Sequence, residues 1–285
     1  MVVSPLAKKR LAAFLAEDVG SGDITGALLP AGRTDATVIT KERCRVVVAG
    51  VEYAKAIFES RRCKCDIRAR DGDVIPHHGT IMRITGEARE ILACERTALN
   101  LLSRMSGIAT RTARLVRKVP DGVHIYATRK TAPGLRTFDK EAVEIGGGRR
   151  HRMGLDESVM IKDNHISAMI SLKEAEDVAD ALRKLIGSAK GRHGSVEAEV
   201  ETIDDAVIAA RAGAAVIMLD NFSPDRVRQA VGRLRKAGLR ENVLIEASGG
   251  ITDRNVSSYG KSGADIISAG FITDSAAGVN LSLEM

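Results

Sequence analysis

Residues 196–250 read VEAEVETIDDAVIAARAGAAVIMLDNFSPDRVRQAVGRLRKAGLRENVLIEASGG. Short β-rich runs at 196–200, 216–220 and 243–247 are separated by stretches with apolar residues at helical spacing, about 204–212 and 224–237. Strands that alternate with helices imply parallel pairing through right-handed crossovers. The unit extends outward, with further runs at 124–128, 159–162 and 265–269 and helical patterns at about 172–187 and 253–261. Six or seven such units point to an α/β barrel or near-barrel rather than an open sheet.

The residues that follow the runs carry the chemistry. At their C-terminal ends stand Arg129-Lys130, Lys162-Asp163-Asn164, Glu199-Val200-Glu201, Asp220-Asn221, Ser248-Gly249-Gly250 and Ala269-Gly270. In a parallel barrel these ends share one rim, where ligands bind and catalysis takes place. One charge at a strand end is chance; ionisable side chains or glycines at nearly every end read as a site. The glycine-bearing ends come last, and the loops after the final strands of a barrel frequently hold a phosphate through backbone N–H groups. Glycine suits that role because it lets the backbone approach a phosphate closely. Glu199 and Glu201 alternate by two and are expected on one face of their strand. With Asp220 they set carboxylates opposite the cations, which suits sugar hydroxyls, a magnesium ion brought in with substrate phosphates, or both.

The cations are densest between the runs at 124–128 and 159–162. Arg129-Lys130-Thr131-Ala132-Pro133-Gly134-Leu135-Arg136 is followed by Gly146-Gly147-Gly148-Arg149-Arg150-His151-Arg152. The spacing is neither that of a G-x-x-x-x-G-K-[ST] loop nor that of a G-x-G-x-x-G fingerprint. It reads as a cation cluster beside a flexible glycine hinge, and such a cluster at a barrel mouth binds a polyanion with several carboxylates or phosphates. A formal net charge of +6 agrees with an anionic partner. Nucleic acid is not the expected one, because the aromatic residues are scattered and no recognition motif is present. A non-enzymatic RNA-binding protein is the reading from another class, and its affinity would fall steeply with salt.

With 44% hydrophobic and 28% charged residues in 285, the chain has the composition of a globular protein with room for two domains or a barrel with a smaller attachment. No uncharged apolar stretch approaches the roughly 20 residues that a bilayer span needs. The apolar run after Lys8-Lys9-Arg10 is too short for export, so a cytoplasmic location is expected. Cys44, Cys63, Cys65 and Cys94 read as reduced structural thiols, since Cys63-Lys64-Cys65 and His77-His78 lack zinc-type spacing.

Residues up to about 87 form a small α+β layer. Ser4-Pro5 is a helix start, with Leu6, Leu11, Phe14 and Leu15 as its apolar stripe, and residues 17–25 (EDVGSGDIT) read as a loop. Short strands are expected at 36–40, 45–48 and 81–84, with a helix at 51–60. From 89 to 118 one long helix, or two in series, presents Ile91, Ala98, Leu99, Leu102 and Met105 on one face. By periodicity Glu95 sits close to that face, as for a buried pair, and Arg96 points away from it as a solvated residue would.

The string 127–166, ATRKTAPGLRTFDKEAVEIGGGRRHRMGLDESVMIKDNHI, closely resembles the quinolinate phosphoribosyltransferases, also called carboxylating nicotinate-nucleotide pyrophosphorylases. The likeness runs through EDVGSGDIT, ERTALNLLSRMSGIAT from Glu95, EAEVET from Glu197, IMLDNF from Ile217, IEASGGI from Ile245 and ISAGFIT from Ile267. A small departure is Glu157, where the family usually has Asp.

The resemblance implies an N-terminal α/β sandwich (1–104), a C-terminal incomplete α/β barrel of seven strands (105–272), and a tail (273–285) that returns to the first domain. It implies a homodimer with shared active sites, leaves assembly into a hexamer open, and makes Arg96 the residue that reaches into the partner's site, against its periodicity. Arg129, His151, Arg152 and Lys162 would then grip the two carboxylates of quinolinate. Lys130, Glu199 and Asp220 would be the catalytic residues on 5-phosphoribosyl 1-pyrophosphate (PRPP), the last two at its ribose hydroxyls and near the water shell of the Mg2+ that accompanies it. Thr128, Ser248, Gly249, Gly250, Ala269, Gly270 and Phe271 would hold its phosphate. The implied reaction is a decarboxylating phosphoribosyl transfer that gives nicotinate mononucleotide, pyrophosphate and CO2. A nicotinate phosphoribosyltransferase or the molybdenum-associated homologue is the alternative; nicotinate has one carboxylate fewer to neutralise, so the full cation set favours quinolinate.

Overall fold

The computed structural model describes residues 3–285. The Ser4 hydroxyl accepts a hydrogen bond from the Ala7 N–H at 3.2 Å and Pro5 takes the first helical position, which starts the first helix where the sequence places it. In chain order the elements are α1 (Pro5–Val19), β1 (Arg33–Thr40), β2 (Val46–Val47), α2 (Val51–Ser60), β3 (Lys64–Ile67), β4 (Val74–Ile75), β5 (Thr80–Glu87) and α3 (Ala88–Val116). They continue with β6 (His124–Ala127), α4 (Arg136–Ile145), β7 (Arg149–Arg150), β8 (Val159–Ile161), α5 (Asp163–Ser171), α6 (Val178–His193), β9 (Val196–Val200) and α7 (Ile203–Ala212). The remainder are β10 (Val216–Asp220), α8 (Pro224–Lys236), β11 (Leu244–Ser248), α9 (Val256–Gly260), β12 (Ile266–Ser268) and β13 (Leu281–Glu284).

Two compact units divide the chain. The first takes residues up to Ala113 with Phe138–Gly147 and Ala276–Met285, and the second Arg114–Thr137 with Gly148–Ser275. The division at 104/105 follows motifs and this one follows contacts, so they cut α3 at different turns.

In the first unit an antiparallel sheet has the order β13-β1-β5-β3, and β13 pairs with β1 from Thr37↔Glu284 to Thr40↔Leu281. The long helix is single: α3 buries Ile91, Ala98, Leu99, Leu102 and Met105, which join Phe58, Ile81, Met82 and Ile84 in the core. In α1 the buried face is Ala7, Leu11 and Leu15, a spacing of four, so Leu6 is exposed, unlike the stripe expected from sequence. The helix also runs on to Val19, so the loop expected from residue 17 begins at Gly20. Arg104 grips the fully buried Asp139 of α4 through Nε and Nη2 at 2.7 and 2.8 Å. Of the glycines after α4, the first is closely packed. A Cβ on Gly146 would stand 2.5 Å from the Ala109 carbonyl oxygen, so Gly146 is where α4 meets α3 closely.

The second unit is built on a parallel sheet of seven strands in the order β7-β6-β12-β11-β10-β9-β8. β7 and β8 stand at opposite ends of this order and no ladder joins them among the described residues, so the barrel is incomplete. Helices α7 and α8 begin where Thr202 and Ser223 accept hydrogen bonds from the Asp205 and Arg226 N–H groups at 3.1 and 3.3 Å. The helix expected at about 172–187 is α6, which starts later, at Val178, where the Asp177 side chain accepts from the Asp180 N–H at 2.8 Å; α5, which precedes it, was not expected.

Candidate active site

The C-terminal ends of the parallel strands bring the expected residues into neighbouring groups. Lys162, after β8, forms an ion pair with Glu199 of β9. Asp220 closes β10, and its Oδ2 accepts from Asn221 Nδ2 at 2.6 Å. The Asn221 N–H donates to the Ser248 carbonyl at 2.9 Å, which ties the turn after β10 to the end of β11. Gly249 has φ +92° and a Cβ there would stand 2.2 Å from Asn221 Oδ1, so this position takes no side chain.

After β6 the Thr128 hydroxyl accepts from the Lys130 N–H at 3.1 Å, and the Lys130 carbonyl accepts from the Thr273 hydroxyl at 2.8 Å. A Cβ on Gly270 would lie 3.3 Å from Lys130 Cδ and 3.6 Å from Thr128 Oγ1, so Thr128, Lys130 and Ala269-Gly270-Phe271 meet at the end of β6 and β12. Arg96 belongs to α3 of the first unit, where its side chain is 65% exposed and only loosely paired with Glu95 at 3.9 Å. That pair is not buried, as the helix periodicity had suggested for Glu95.

His151 and Arg152 follow β7. His151 Nε2 stands 2.9 Å from Glu197 Oε2 and 3.7 Å from Glu246 Oε2, and the Arg152 N–H donates to His151 Nδ1 at 2.8 Å. Arg152 Nη1 donates to the Ser158 carbonyl at 2.9 Å. Burial, and then the charge of Arg129, lower the proton affinity of the Arg152 guanidinium, while Glu197 and Glu199 oppose this. Arg129 Nε is itself buried and has no hydrogen-bond partner among the described residues. The two guanidinium groups are therefore near enough for their charges to repel, and the Arg129 Nε–H keeps an unused donor, an arrangement that a bound anion would complete. A cavity of about 220 Å³ reaches Arg150, His151, Arg152, Glu197 and Glu246, and because Ser195, Val216, Leu244 and Ile266 also line it, it opens at the starts of the parallel strands, the end opposite the rim.

Glu197 and Glu246 are the residues that sequence reasoning missed. Burial first, and the charge of Glu197 second, push the Glu246 carboxyl up to about 8, and the Ser268 hydroxyl donates to its Oε1 at 2.6 Å. The signal lay in VEAEV, whose alternation sets Glu197 on the same face as Glu199. The sequence reading paired Glu199 with Glu201 instead. Glu201 lies beyond β9, where Thr202 begins the cap of α7 and the alternation stops; it is exposed, and its carbonyl accepts from Arg226 Nη2 at 2.9 Å.

The family described as quinolinate phosphoribosyl transferase matches in both parts, the N-terminal domain over residues 23–106 and the C-terminal domain over 108–284. A probable carboxylating nicotinate-nucleotide pyrophosphorylase of Methanothermobacter thermautotrophicus is 45% identical over 273 residues, which is 94% of this chain and 95% of the relative. One of Archaeoglobus fulgidus, of the same description, is 42% identical over 267 residues, 93% of this chain and 98% of the relative. The solved structure of NadC from Streptococcus pyogenes superposes with a TM-score of 0.88 at 34% identity, and the match covers 100% of this chain and 98% of that one. Matched in both domains and along nearly the whole length of these relatives, the chain belongs to the quinolinate phosphoribosyltransferase family.

Proposed function

We propose that the protein transfers the phosphoribosyl group of PRPP to quinolinate with loss of CO2, forming nicotinate mononucleotide and pyrophosphate for NAD biosynthesis. The observation that carries this reading is the pair of guanidinium groups of Arg129 and Arg152, with a buried, unpartnered Arg129 Nε, close to Lys162 and Glu199. A planar dicarboxylate answers such a set, because guanidinium binds carboxylate with directed donors. The relatives, described as probable carboxylating nicotinate-nucleotide pyrophosphorylases, support the same substrate class.

Each residue then has a task. Arg129, Arg152 and Lys162 receive the carboxylates of quinolinate, in a pocket that includes His151. The turns Ser248-Gly249-Gly250 and Ala269-Gly270-Phe271, with Thr128, cradle the phosphate of PRPP through backbone N–H groups. Glu199 and Asp220 face the ribose hydroxyls; they are hard oxygen donors at the rim and also suit the hydrated Mg2+ that accompanies PRPP, which neutralises part of the pyrophosphate charge. As pyrophosphate leaves, positive charge builds at the ribose C1 carbon, these carboxylates stabilise it, and the pyridine nitrogen attacks. When the adjacent carboxylate leaves as CO2, the electron pair of the broken bond stays on C2, stabilised by the positive charge of the quaternary nitrogen beside it, until C2 takes up a proton. Lys130, exposed at the end of β6, is the candidate that returns a proton to C2. The nucleophile needs no deprotonation, so positioning and electrostatics supply the catalysis.

The reading includes a cytoplasmic homodimer in which Arg96 serves the site of the neighbouring protomer; among the described residues no helix is long and apolar enough to cross a membrane. The test is incubation with PRPP, magnesium and either quinolinate or nicotinate, with nucleotide and CO2 both measured. Product from quinolinate alone is expected, and product from nicotinate or from neither substrate overturns the reading. Arg96→Ala is expected to be inactive but still dimeric, and mixing it with Lys130→Ala should restore part of the activity. Normal turnover of Arg96→Ala would refute the shared site.

A further inference from the structure

We propose that Glu197 is a positioning residue of the dicarboxylate pocket: it holds His151 as a neutral imidazole that fixes the Arg152 main chain and brings no positive charge of its own. The proposal rests on the transferase reading above, which sets His151 beside quinolinate. It revises the part that the family resemblance gives to His151.

Two hydrogen bonds define the ring. The Arg152 N–H donates to Nδ1 at 2.8 Å, so Nδ1 carries no proton. The ring proton is then on Nε2, 2.9 Å from Glu197 Oε2. A doubly protonated ring would set an Nδ1–H group against the Arg152 N–H, donor against donor. The same bond argues against a metal ion. His151, Glu197 and Glu246 do offer ligand atoms within 4.8 Å of one another, a composition like that of a metal site. A histidine that ligates through Nε2, however, carries its proton on Nδ1, where the Arg152 N–H already points.

The cluster is satisfied by a proton instead. Glu197 Oε1 and Glu246 Oε2 are buried without a hydrogen-bond partner among the described residues, on side chains 8% and 1% exposed. The other Glu246 oxygen is taken by the Ser268 hydroxyl. A proton on the Glu246 carboxyl makes its open oxygen a donor instead of a second buried negative charge, which leaves Glu197 as acceptor for His151 Nε2–H. The Tyr126 ring lies against His151 nearly edge-on, with centroids 6.0 Å apart, and the charged groups around the cluster are Glu197, Glu246, Glu199, Arg129, Arg150 and Arg152. The positive charge that meets the dicarboxylate in this unit thus comes from Arg129, Arg152 and Lys162.

Nitrogen–proton correlation spectra of the histidine side chains test the geometry directly in the whole protein, with the His151 signals identified by their loss in His151→Asn. Nδ1 unprotonated and Nε2 protonated between about pH 6 and 8 is the expected result; a doubly protonated ring in that range overturns the proposal. Kinetics test the role. Glu197→Gln keeps an acceptor for Nε2–H and should hold the KM for quinolinate within about threefold, whereas Glu197→Ala should raise it about tenfold to a hundredfold with the KM for PRPP unchanged. Equal effects of the two variants, or an equal rise in both KM values, would show a merely structural residue. Absence of turnover in the unmodified protein would count against the transferase reading, while the spectra still decide the state of His151.

Discussion

Glu246→Gln separates the charge of the buried carboxyl from its shape. In the unfolded chain this carboxyl titrates near 4.5, whereas in the folded protein burial and the neighbouring Glu197 hold it near 8. Within that window the folded chain keeps a proton that the unfolded chain has lost, so stability is fully present below pH 4.5 and declines as pH rises through about 8. At about 1.4 kcal/mol per pH unit, the window from 4.5 to about 8 sets a ceiling of roughly 5 kcal/mol. Glutamine places an amide N–H where the acid O–H stood and keeps a carbonyl oxygen for Ser268, in nearly the same volume. The variant should match the unmodified protein at pH 5 and exceed it by a few kcal/mol at pH 9. Urea unfolding followed by circular dichroism, at constant ionic strength from pH 5 to 9, measures both curves. Parallel curves over that range would refute the buried-acid reasoning, whatever the activity of the variant.

Three further outcomes follow from local geometry. Asp139→Ala removes the carboxylate that Arg104 grips with two nitrogens and should cost about 2–3 kcal/mol in urea unfolding, at or below the low end of the range for a fully buried pair because the Arg104 side chain is 23% exposed; a loss within about 0.5 kcal/mol, the size of an ordinary surface change, would remove this pair from the account of α4. Gly249→Ala puts a methyl group 2.2 Å from Asn221 Oδ1 at φ +92°, so the KM for PRPP should rise at least about tenfold with little change for quinolinate; an equal rise for both substrates speaks against a phosphate turn. Burial pushes the thiols of Cys65 and Cys94 up to about 12 and raises that of Cys63, whereas Cys44 is exposed. A thiol reagent at pH 8 should therefore modify Cys44 and spare the others by mass spectrometry, and equally fast modification of Cys94 would sink that expectation.

Much of the fold was legible because its signals are local. The helix at 51–60 and the strands at 196–200 and 216–220 coincide with α2, β9 and β10, since periodicity, caps and turn glycines agree there. Strand β7 escaped notice because it is two arginines with no apolar alternation, stabilised by pairing with Tyr126 and Ala127, and pairing is not a property of its own residues. Helix α4 hid for a similar reason. It buries Asp139 and Lys140, so its inward face looks polar. At the site, the rim residues could be read from their place after each strand, but the Glu246–Glu197–His151 cluster needs register: Glu246 and Glu199 both pair with Met218 of the intervening β10, which levels β9 with β11, while His151 follows β7 at the far end of the strand order.

The pairing of β13 with β1 has a consequence for how the first unit is made. Its sheet begins with residues 33–40 and takes its fourth strand from residues 281–284, so the whole second unit is synthesised between the two. Until then one edge of β1 exposes unpaired N–H and C=O groups, which makes it a template for intermolecular pairing. Every nascent chain must keep that edge from its neighbours while more than two hundred residues emerge, a contact of very high sequence separation that forms late. A chain stopped short of residue 281 would carry the open edge permanently, and its fault would show first as aggregation rather than as a change in the chemistry of the site.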